Sequence, residues 1–442
     1  MLNELTAKEQ KELIEQYGGQ SATNNINVAK HVSIANILLQ TLHLNLYNKQ
    51  LYVYDNGIYK NNDLFLQKKI LETDINATER TRVEIMKYLK VVLSENEVQI
   101  NTDYITFKNG IFNTKNKELV TFNPLIFTIN KVNANYNENL SINNDIDKFL
   151  NDVTNNNPKR KNAILQIIGY CMTMSTSLQK AFIFYGRKAE NGKSTLIELI
   201  NTLIGEENVC HIKIHELQEK FYISEIENKL LNSVGENPTI PIKSIDVFKN
   251  VVDVPKVTIE KKFQNRYTIF PYAKYIFALN ELPIVSDTTN GYYRRLNILK
   301  FEAQFTEEDK LKFDKSKLFT QEALDYLAYV SLQEYLKLIN TRQFANEEES
   351  ISIIGRYKIE NNSVLSYLDD TENLERLFSG WTTVKPKIMY EDYKWWCKET
   401  EYKNEGRNKF YLEVLETGKY NKKTLNGLEY FEKVYHKTEN PP

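Results

Sequence analysis

Residues 181–200 read Ala181-Phe-Ile-Phe-Tyr185-Gly186-Arg-Lys-Ala-Glu-Asn-Gly192-Lys-Ser-Thr195-Leu-Ile-Glu-Leu-Ile200. The first five residues form an apolar, aromatic-rich run that predicts a buried β-strand, and the last five predict an apolar helix. Between them lies a loop that begins with Gly186 and ends in Gly-Lys-Ser-Thr at residues 192–195. Strand, glycine loop and helix in this order favour a Walker A phosphate loop over a chance Gly-Lys-Ser-Thr on the surface.

Each part of this loop suits the binding of nucleotide phosphates. Backbone N–H groups at a helix start point at phosphate oxygens, and Lys193 suits the β and γ phosphates. The hydroxyl of Ser194 suits a magnesium ion. ATP and Mg²⁺ are therefore the expected cofactors. The expected cofactor-binding residues are Gly186, Asn191, Gly192, Lys193, Ser194 and Thr195.

The spacing of the two glycines departs from the usual motif. Five residues separate Gly186 from Gly192, whereas the Walker A motif has four. Either Arg187 occupies the position of the first glycine, or the loop bulges by one residue. The sequence leaves both alternatives open.

Two later predicted strands each end in a polar side chain. The run Lys229–Val234 is followed by Gly235 and Glu236, where a Walker B carboxylate holds Mg²⁺ and polarises the attacking water. Such glutamates are common after strands, so the position after the phosphate loop carries this assignment. The run Tyr275–Leu279 ends at Asn280, which suits contact with the γ-phosphate; the alternative is an Asn that caps a turn.

Arg294 and Arg295 precede another predicted strand, residues 296–301. Paired arginines at such a place are usually a solvated edge. They also suit an arginine finger, which reaches the γ-phosphate of a neighbouring subunit and stabilises the charge of the transition state. The expected catalytic residues are Lys193, Glu236, Asn280, Arg295 and Arg294, and the expected metal ligands are Ser194 and Glu236.

The order of these motifs resembles superfamily 3 helicases. Within this superfamily the sequence most resembles the helicases of phages, plasmids and mobile islands, which are related to the helicase half of poxvirus primase-helicases. Residues 257–271 add a specific match, because they resemble the DNA-binding hairpin of tumour-virus superfamily 3 helicases. Lys262 matches the lysine at the hairpin tip, and Phe263 replaces the family's histidine. Arg295 matches the family's finger better than Arg294.

The composition of this hairpin agrees with contact to DNA. Between residues 256 and 274 there are five cations and one anion. Cations beside an aromatic ring suit phosphate contact and base stacking, whereas the alternative is a solvated edge on which lysines discourage aggregation. The expected DNA-binding residues are Lys261, Lys262, Phe263 and Arg266.

The resemblance implies a hexameric ring that binds ATP at its subunit interfaces and moves 3′ to 5′ on DNA. Single-stranded DNA in the channel and further copies of the chain are the expected partners. An origin duplex and a separate primase are further candidates. Residues 1–140 contain no acidic cluster for two metals and no zinc ribbon, so primase activity in the chain itself is not expected.

The expected fold is an α/β P-loop core of the AAA+ type with an N-terminal α+β domain, a helical region and a C-terminal winged helix. Asn-Gly pairs at 56–57, 109–110 and 426–427 predict hairpins. Residues 137–157, rich in Asn and Asp, are the best linker candidate. The expected divisions are 1–140 (α+β domain), 141–178 (helical collar or linker), 179–305 (ATPase core), 306–375 (helical region) and 376–442 (winged-helix DNA-binding domain).

Composition limits the remaining classes of function. A net charge of −1 argues against a protein that coats DNA through a basic surface. Three scattered cysteines suit a reducing cytoplasmic compartment, and neither a signal peptide nor a membrane span is expected. Trp381, Trp395 and Trp396 are expected in the core rather than in contact with bases.

Two other classes of function remain open from the sequence. One is a P-loop ATPase that packages DNA or remodels a protein. The other is an origin-binding initiator whose ATPase acts only as a switch. The hairpin lysine and the spacing from Asn280 to Arg295 favour the helicase.

Overall fold

The computed structural model describes residues 30–238, 240–242, 246–253, 256–259, 266–285 and 290–434. Residues 30–93 form a small α+β unit. It consists of α1 (Lys30–Thr41), the antiparallel strands β1 (Leu44–Tyr47), β2 (Gln50–Asp55) and β3 (Ile58–Lys60), and helices α2 (Asp63–Thr73) and α3 (Glu79–Leu93). Asn56 and Gly57 have φ angles of 49° and 87° in the turn between β2 and β3. Positive φ at both positions suits a type I′ turn, and the expected hairpin is confirmed.

A second antiparallel sheet follows, and its first two strands form the expected hairpin, although the turn residues are Lys108 and Asn109 and Gly110 already pairs with Phe107. Its strands are β4 (Tyr104–Phe107), β5 (Gly110–Asn113) and β6 (Glu118–Val120). Ile105, Phe107 and Phe112 of this sheet are buried in the same apolar cluster as side chains of the later central sheet. The N-terminal region therefore packs directly onto the rest of the chain.

The segment 137–157 is not an open linker, and this prediction is wrong over its second half. Helix α4 (Asn144–Val153) lies there, and the Asn143 side chain caps it by accepting a hydrogen bond from the backbone N–H of Ile146. Its buried residues are Ile146, Phe149, Leu150 and Val153. Their i, i+3, i+4, i+7 spacing forms an apolar stripe, which the abundance of Asn and Asp around it conceals. Helix α5 (Pro158–Cys171) follows after Asn157, its N-cap.

The central part of the chain alternates strands and helices. In order these are β7 (Ala181–Tyr185), α6 (Lys193–Ile204), β8 (Val209–Cys210), α7 (Lys220–Ile223), β9 (Leu231–Val234), α8 (Asp246–Asp253), β10 (Val257–Ile259), β11 (Tyr267–Ile269), β12 (Lys274–Leu279), α9 (Asn290–Tyr293) and β13 (Leu296–Lys300). Within the described ranges, five of the strands form one parallel sheet in the order β13-β7-β12-β9-β8. Strands β10 and β11 pair separately as an antiparallel hairpin.

Apolar side chains cover both faces of this central sheet. On β7, Phe182 and Phe184 enter one buried cluster while Ala181 and Ile183 enter the other. Burial of both faces is typical of parallel sheets, and it explains why the sequences of their strands are continuous apolar runs. Because all five strands are parallel, their carboxyl ends lie along a single edge of the sheet.

Helices dominate the chain after the central sheet. They are α10 (Glu307–Lys312), α11 (Gln321–Thr341), α12 (Glu347–Glu360), α13 (Ser363–Asp369) and α14 (Thr371–Phe378). Helix α11 packs closely against α5 at Gly169, where an added Cβ would lie 2.3 Å from the backbone oxygen of Ser331. Only glycine allows this approach. Short 3₁₀ turns occur at Ser94–Asn96, Glu206–Asn208, Glu216–Gln218, Ser224–Ile226 and Lys315–Phe319.

The C-terminal part has the predicted order of helix, helix and hairpin. Its elements are β14 (Thr383–Val384), α15 (Pro386–Glu399), α16 (Arg407–Glu416), β15 (Tyr420–Leu425) and β16 (Leu428–Lys433). The strands pair in the order β14-β16-β15. Gly418 has a φ of 67° after α16, so the expected left-handed residue at the end of this helix is confirmed.

The prediction that all three tryptophans are core residues is correct only for Trp396. Trp396 is 7% exposed, whereas Trp381 and Trp395 are 74% and 52% exposed. Trp395 and Trp396 are adjacent on α15, so they point in directions about 100° apart around the helix. Trp396 lies on the buried face of the helix with Met389, Tyr393 and Cys397, whereas Trp395 lies outside this face. In the part of the chain that the structure describes, no helix is long and apolar enough to span a membrane.

Candidate functional site

The loop between β7 and α6 is held at both ends by backbone hydrogen bonds. The N–H of Gly186 donates to the Leu279 oxygen at 3.1 Å, and the N–H of Phe305 donates to the Glu190 oxygen at 2.9 Å. Gly192 precedes α6 with a φ of 81°, and a Cβ there would lie 2.5 Å from Cγ1 of Val153. Both facts require glycine at this position, so the loop enters the helix by a tight left-handed turn.

The local geometry of the loop bears on the spacing of its two glycines. Gly186 is closely packed, because an added Cβ would lie 2.6 Å from the Phe301 oxygen. Arg187 is exposed, and its Nε donates to the Tyr185 hydroxyl at 3.0 Å. Glu190 has a φ of 59°, in the left-handed region. Of the two alternatives for the spacing, this geometry favours the bulged loop with Gly186 as its first fixed glycine.

Asn191 closes the loop from within. Its Nδ2 donates to the Lys188 oxygen at 2.8 Å, and its Oδ1 accepts the N–H of Lys193 at 3.4 Å. The side chain is 4% exposed. Asn191 therefore fixes the shape of the loop around the first residue of α6.

Lys193 points across the loop toward the end of β12. Its Nζ donates to the Gly186 oxygen at 2.7 Å and to Oδ1 of Asn280 at 3.0 Å. Burial lowers the pKa of Lys193. The ammonium group thus lies between a backbone oxygen of the loop and a side chain at the carboxyl edge of the sheet.

Predicted residues from three strands meet at this edge. Lys193, Ser194, Glu236 and Asn280 line one cavity of about 650 Å³. Strand β9 lies beside β12, and β12 beside β7, so residues that follow these strands come together. Ser194, Glu236 and Asn280 are exposed within the cavity, where their oxygens are accessible to a ligand.

Two further residues of the cavity were not predicted from the sequence. Asn237 donates from Nδ2 to the oxygens of Ala278, at 3.2 Å, and Val234, at 3.3 Å, so it ties the end of β9 to the end of β12. Its place directly after Glu236 is the one signal that could have revealed it. Lys213 lines the cavity together with Lys188 and Lys193. It lies in the connection between β8 and β9, where no motif marks it.

A second cavity, of about 570 Å³, lies on the other side of Gly192. Thr195 lines it, in contrast to Ser194, which lines the first. The aromatic rings of Phe149 and Phe313 border it, stacked at 5.8 Å with an interplanar angle of 19°. The loop between β7 and α6 therefore separates a polar cavity from one with an aromatic wall.

The two arginines do not share the cavity of Lys193. They precede β13, which is parallel to β7, and so they lie at the amino edge of the sheet. A strand of five residues spans roughly 16 Å. Arg294 and Arg295 both form ion pairs with Asp253 at the end of α8. Contact between either arginine and a nucleotide in the Lys193 cavity therefore requires a second copy of the chain.

The predicted hairpin around residues 257–271 is confirmed as a pair of strands. Ile259 pairs with Tyr267 in the register of β10 and β11, and Ile259 and Ile269 are buried. Lys261, Lys262 and Phe263 lie outside the described residues. Arg266 is exposed.

Lys274 was counted among the hairpin cations, and this was wrong. Its side chain is 2% exposed at the start of β12. The Nζ donates to the oxygens of Thr173 and Tyr272 and lies 5.1 Å from the ring centre of Tyr170. Lys274 is a structural residue of the sheet, because its position in a buried strand directs the side chain inward.

Comparisons with known proteins agree with this architecture. The family described as D5 N terminal like matches residues 39–155, and a family of unknown function (DUF5906) matches residues 184–295. The protein "Primase D5" of fowlpox virus (strain NVSL) is 24% identical over 256 residues, which are 54% of this chain and 32% of that protein. The chain thus spans about a third of the length of this curated relative.

A solved structure has the same overall fold. The apo A form of the NrS-1 C-terminal region is similar with a TM-score of 0.50 at 12% identity, over 91% of this chain and 98% of that one. The chain is a mixed α/β protein with a parallel central sheet. The D5 N terminal like match and the similarity to the fowlpox virus protein support the resemblance to D5-like superfamily 3 helicases that the order of the motifs indicated.

Proposed function

We propose that this chain is an ATP-hydrolysing DNA helicase that replicates a phage, plasmid or genomic island and moves 3′ to 5′ as a ring. The observation that carries the proposal is the meeting of Lys193, Ser194, Glu236 and Asn280 in one cavity at the carboxyl edge of the sheet. A cation, a hydroxyl, a carboxylate and an amide in this arrangement are the parts that phosphoryl transfer requires.

The residues present fit ATP and Mg²⁺. The backbone N–H groups at the N-terminus of α6 suit the phosphates of ATP. With ATP bound, Lys193 would donate to phosphate oxygens in place of its present acceptors, the Gly186 oxygen and Asn280. Ser194 and Glu236 hold Mg²⁺, which needs few protein ligands because it retains several waters. Thr195 and the aromatic wall of the second cavity suit the nucleoside, since this cavity adjoins the same loop.

Three side chains have roles in hydrolysis. Glu236 polarises the attacking water, and Asn280 orients it beside the γ-phosphate. Arg295 stabilises charge on the transferred phosphoryl group from a neighbouring subunit. Mg²⁺ supplies charge neutralisation between the β and γ phosphates when it is bound.

The Lys193 cavity and Arg295 lie at opposite edges of the central sheet, and this arrangement supports a ring. The Lys193 cavity is at the carboxyl edge of the sheet, and Arg295 is at the amino edge. Head-to-tail contact of identical subunits brings the carboxyl edge of one copy to the amino edge of the next, and such contacts form a ring when the rotation between copies closes. The proposed assembly is a hexamer.

The hairpin and the C-terminal part supply the proposed contacts with DNA. Lys261, Lys262, Phe263 and Arg266 contact single-stranded DNA in the channel. The central sheet with its phosphate loop is an AAA+-type core, and α15, α16 and the β15–β16 hairpin are a winged helix.

ATP-dependent unwinding of forked duplexes tests the proposal. Substrates with a 3′ tail alone and with a 5′ tail alone separate the two directions, and mass measurement of the assembly gives the ring size. Unwinding of the 3′-tailed substrate is expected. Hydrolysis and duplex binding without strand displacement would instead favour an origin-binding switch, and translocation of intact duplex would favour a packaging motor.

A further inference from the structure

Asp253 binds both arginines of the proposed finger at once. Its Oδ2 accepts hydrogen bonds from Nη2 of Arg294 and from Nη2 of Arg295. The Asp253 side chain is 14% exposed, and those of Arg294 and Arg295 are 50% and 8% exposed. One negatively charged carboxylate therefore pairs with two adjacent positively charged guanidinium groups. Of the two arginines, Arg295 is the buried one.

The guanidinium of Arg295 is directed into its own chain. Besides Asp253, its Nη1 donates to the backbone oxygen of Gly291. Burial and the neighbouring Arg294 lower the pKa of Arg295, and Asp253 opposes this effect. A finger that acts on another subunit must present its N–H groups outward. In this conformation Arg295 is withdrawn, and Asp253 is the charged group that holds it.

Asp253 also belongs to the helix that precedes the hairpin. It is the last residue of α8, four positions before the first residue of β10. Phe248, Val251 and Val252 of α8 pack in the same apolar cluster as Ile259 and Ile269 of the hairpin strands. Helix α8 and the base of the hairpin therefore share one apolar core.

The same helix contacts the segment that carries the arginines. The ring of Phe248 lies 5.3 Å from that of Tyr292. The N–H of Arg295 donates to the Tyr292 oxygen at 3.1 Å. Helix α8 thus shares an apolar core with the hairpin and contacts the arginine segment directly, with Asp253 as the charged contact.

We propose that Asp253 is a positioning residue that withholds Arg295 until DNA displaces the hairpin. When the hairpin moves, α8 moves with it, the pair of Asp253 and Arg295 opens, and Arg295 becomes available to the nucleotide of the adjacent subunit. DNA occupancy thereby controls hydrolysis. This inference rests on the proposed function and specifies how its active site is regulated.

Asp253→Asn tests the inference, because it keeps the shape of the side chain and removes its charge. The measurements are ATP hydrolysis with and without oligothymidylate, and the thermal midpoint of each variant. We expect hydrolysis without DNA to rise toward the DNA-stimulated rate of the unaltered chain, so that the stimulation factor falls toward one. Asp253→Glu restores the charge and with it most of the stimulation. Asp246→Asn, at the other end of α8, is the matched control and keeps the stimulation factor.

A chemical measurement on the unaltered chain does not depend on the folding of any variant. Phenylglyoxal modifies accessible guanidinium groups, and mass spectrometry locates the modified residue. Without nucleotide, Arg295 is expected to be protected in the absence of oligothymidylate and modified in its presence. Arg294, which is half exposed, reacts in both conditions.

The failures of the two proposals are distinguishable. An unaltered chain that hydrolyses no ATP contradicts the proposed function. If DNA stimulates hydrolysis by the same factor in the unaltered chain and in Asp253→Asn, only the proposed role of Asp253 is contradicted. Equal loss of both rates without rescue by Asp253→Glu, or protection of Arg295 that DNA does not change, also rejects that role.

Discussion

The ammonium nitrogen of Lys193 lies 3.0 Å from Oδ1 of Asn280, although 87 positions separate the two residues in the chain. Lys193 begins α6 directly after the phosphate loop, and Asn280 follows β12. The contact joins the loop to the adjacent strand end. It places one cation and one amide side by side in the cavity at the carboxyl edge of the sheet.

Replacement of Lys193 by alanine should reduce ATP hydrolysis by at least about 10²-fold, by analogy with the loss of a charge-stabilising donor. The replacement removes the cation that faces the phosphates and leaves Asn280 without its present donor. Steady-state hydrolysis and the thermal midpoint are the measurements. Lys315→Ala is the control, because Lys315 is a surface residue paired with Glu198. Hydrolysis near the unaltered rate would mean that the loop binds no phosphate.

Gly186→Ala and Arg187→Gly should have opposite outcomes. Alanine at position 186 places a Cβ 2.6 Å from the Phe301 oxygen and from Nδ2 of Asn191, so we expect a destabilisation of about 1–3 kcal/mol and a distorted loop. Glycine at position 187 removes an exposed side chain and should leave hydrolysis nearly unchanged. Urea unfolding and hydrolysis assays check both. The reverse pattern would assign the first-glycine position to Arg187.

Local sequence sufficed to predict the order of strand, loop and helix that begins at Ala181. The strand, the loop and the helix are contiguous from residue 181 to residue 204, so their contacts follow from short-range order. Glu236 and Asn280 were predicted because each follows an apolar strand that comes after the loop in the chain. In the structure the two residues share one edge because strands β9 and β12 are parallel neighbours.

Contacts between separate elements were beyond the reach of sequence patterns. Neither the pairing of Asp253 with two arginines nor the place of Lys213 in the cavity has a local signature, because both depend on how α8 and the β8–β9 connection pack. Lys274 was misread as a surface cation because charge alone does not reveal burial. Helix α4 was misread as a linker because composition was weighed above the spacing of its four apolar residues.

Glu236→Gln should allow ATP binding and lower turnover by about 10²–10⁴-fold, the range for a lost general base. Glutamine keeps the size of the side chain and removes the charge that polarises water. Binding of a fluorescent ATP analogue and steady-state hydrolysis separate the two steps. Glu225→Gln and Glu227→Gln are the controls, because these acids lie before β9 and away from its carboxyl end. Turnover that persists in Glu236→Gln and is lost in a control would place the catalytic acid there.

Lys274→Met should remove a pH dependence of stability. Burial lowers the folded-state pKa of Lys274 to about 7, whereas an unfolded lysine has a pKa of about 10.4. Between these values the unfolded chain binds more protons, so this residue makes stability rise with pH and fall as the pH is lowered toward 7. The slope from one such group is at most about 1.4 kcal/mol per pH unit. Urea unfolding at about pH 7.5 and about pH 9.5 measures it.

In that experiment, the difference between the unaltered chain and Lys274→Met is the informative quantity, because tyrosines and cysteines titrate in both proteins. Methionine has a similar length and requires no hydrogen-bond partner, although it leaves the Thr173 and Tyr272 oxygens without the lysine donor. The two stability curves should converge as the pH rises. Parallel curves would mean that Lys274 stays charged in the folded protein, held by those two oxygens and the Tyr170 ring.

Arg295→Ala should abolish hydrolysis and spare nucleotide binding, since the arginine lies at the edge of the sheet opposite the Lys193 cavity. Arginine fingers contribute about 10³–10⁵ in rate in other phosphoryl-transfer systems. Subunits with Arg295→Ala mixed in equal amounts with Lys193→Ala subunits should regain activity. In a head-to-tail ring, about a quarter of the interfaces then combine an intact Lys193 from one subunit with an intact Arg295 from the next. Each variant alone is the control. Mixed assemblies that remain as inactive as either variant would show that Arg295 acts within its own chain.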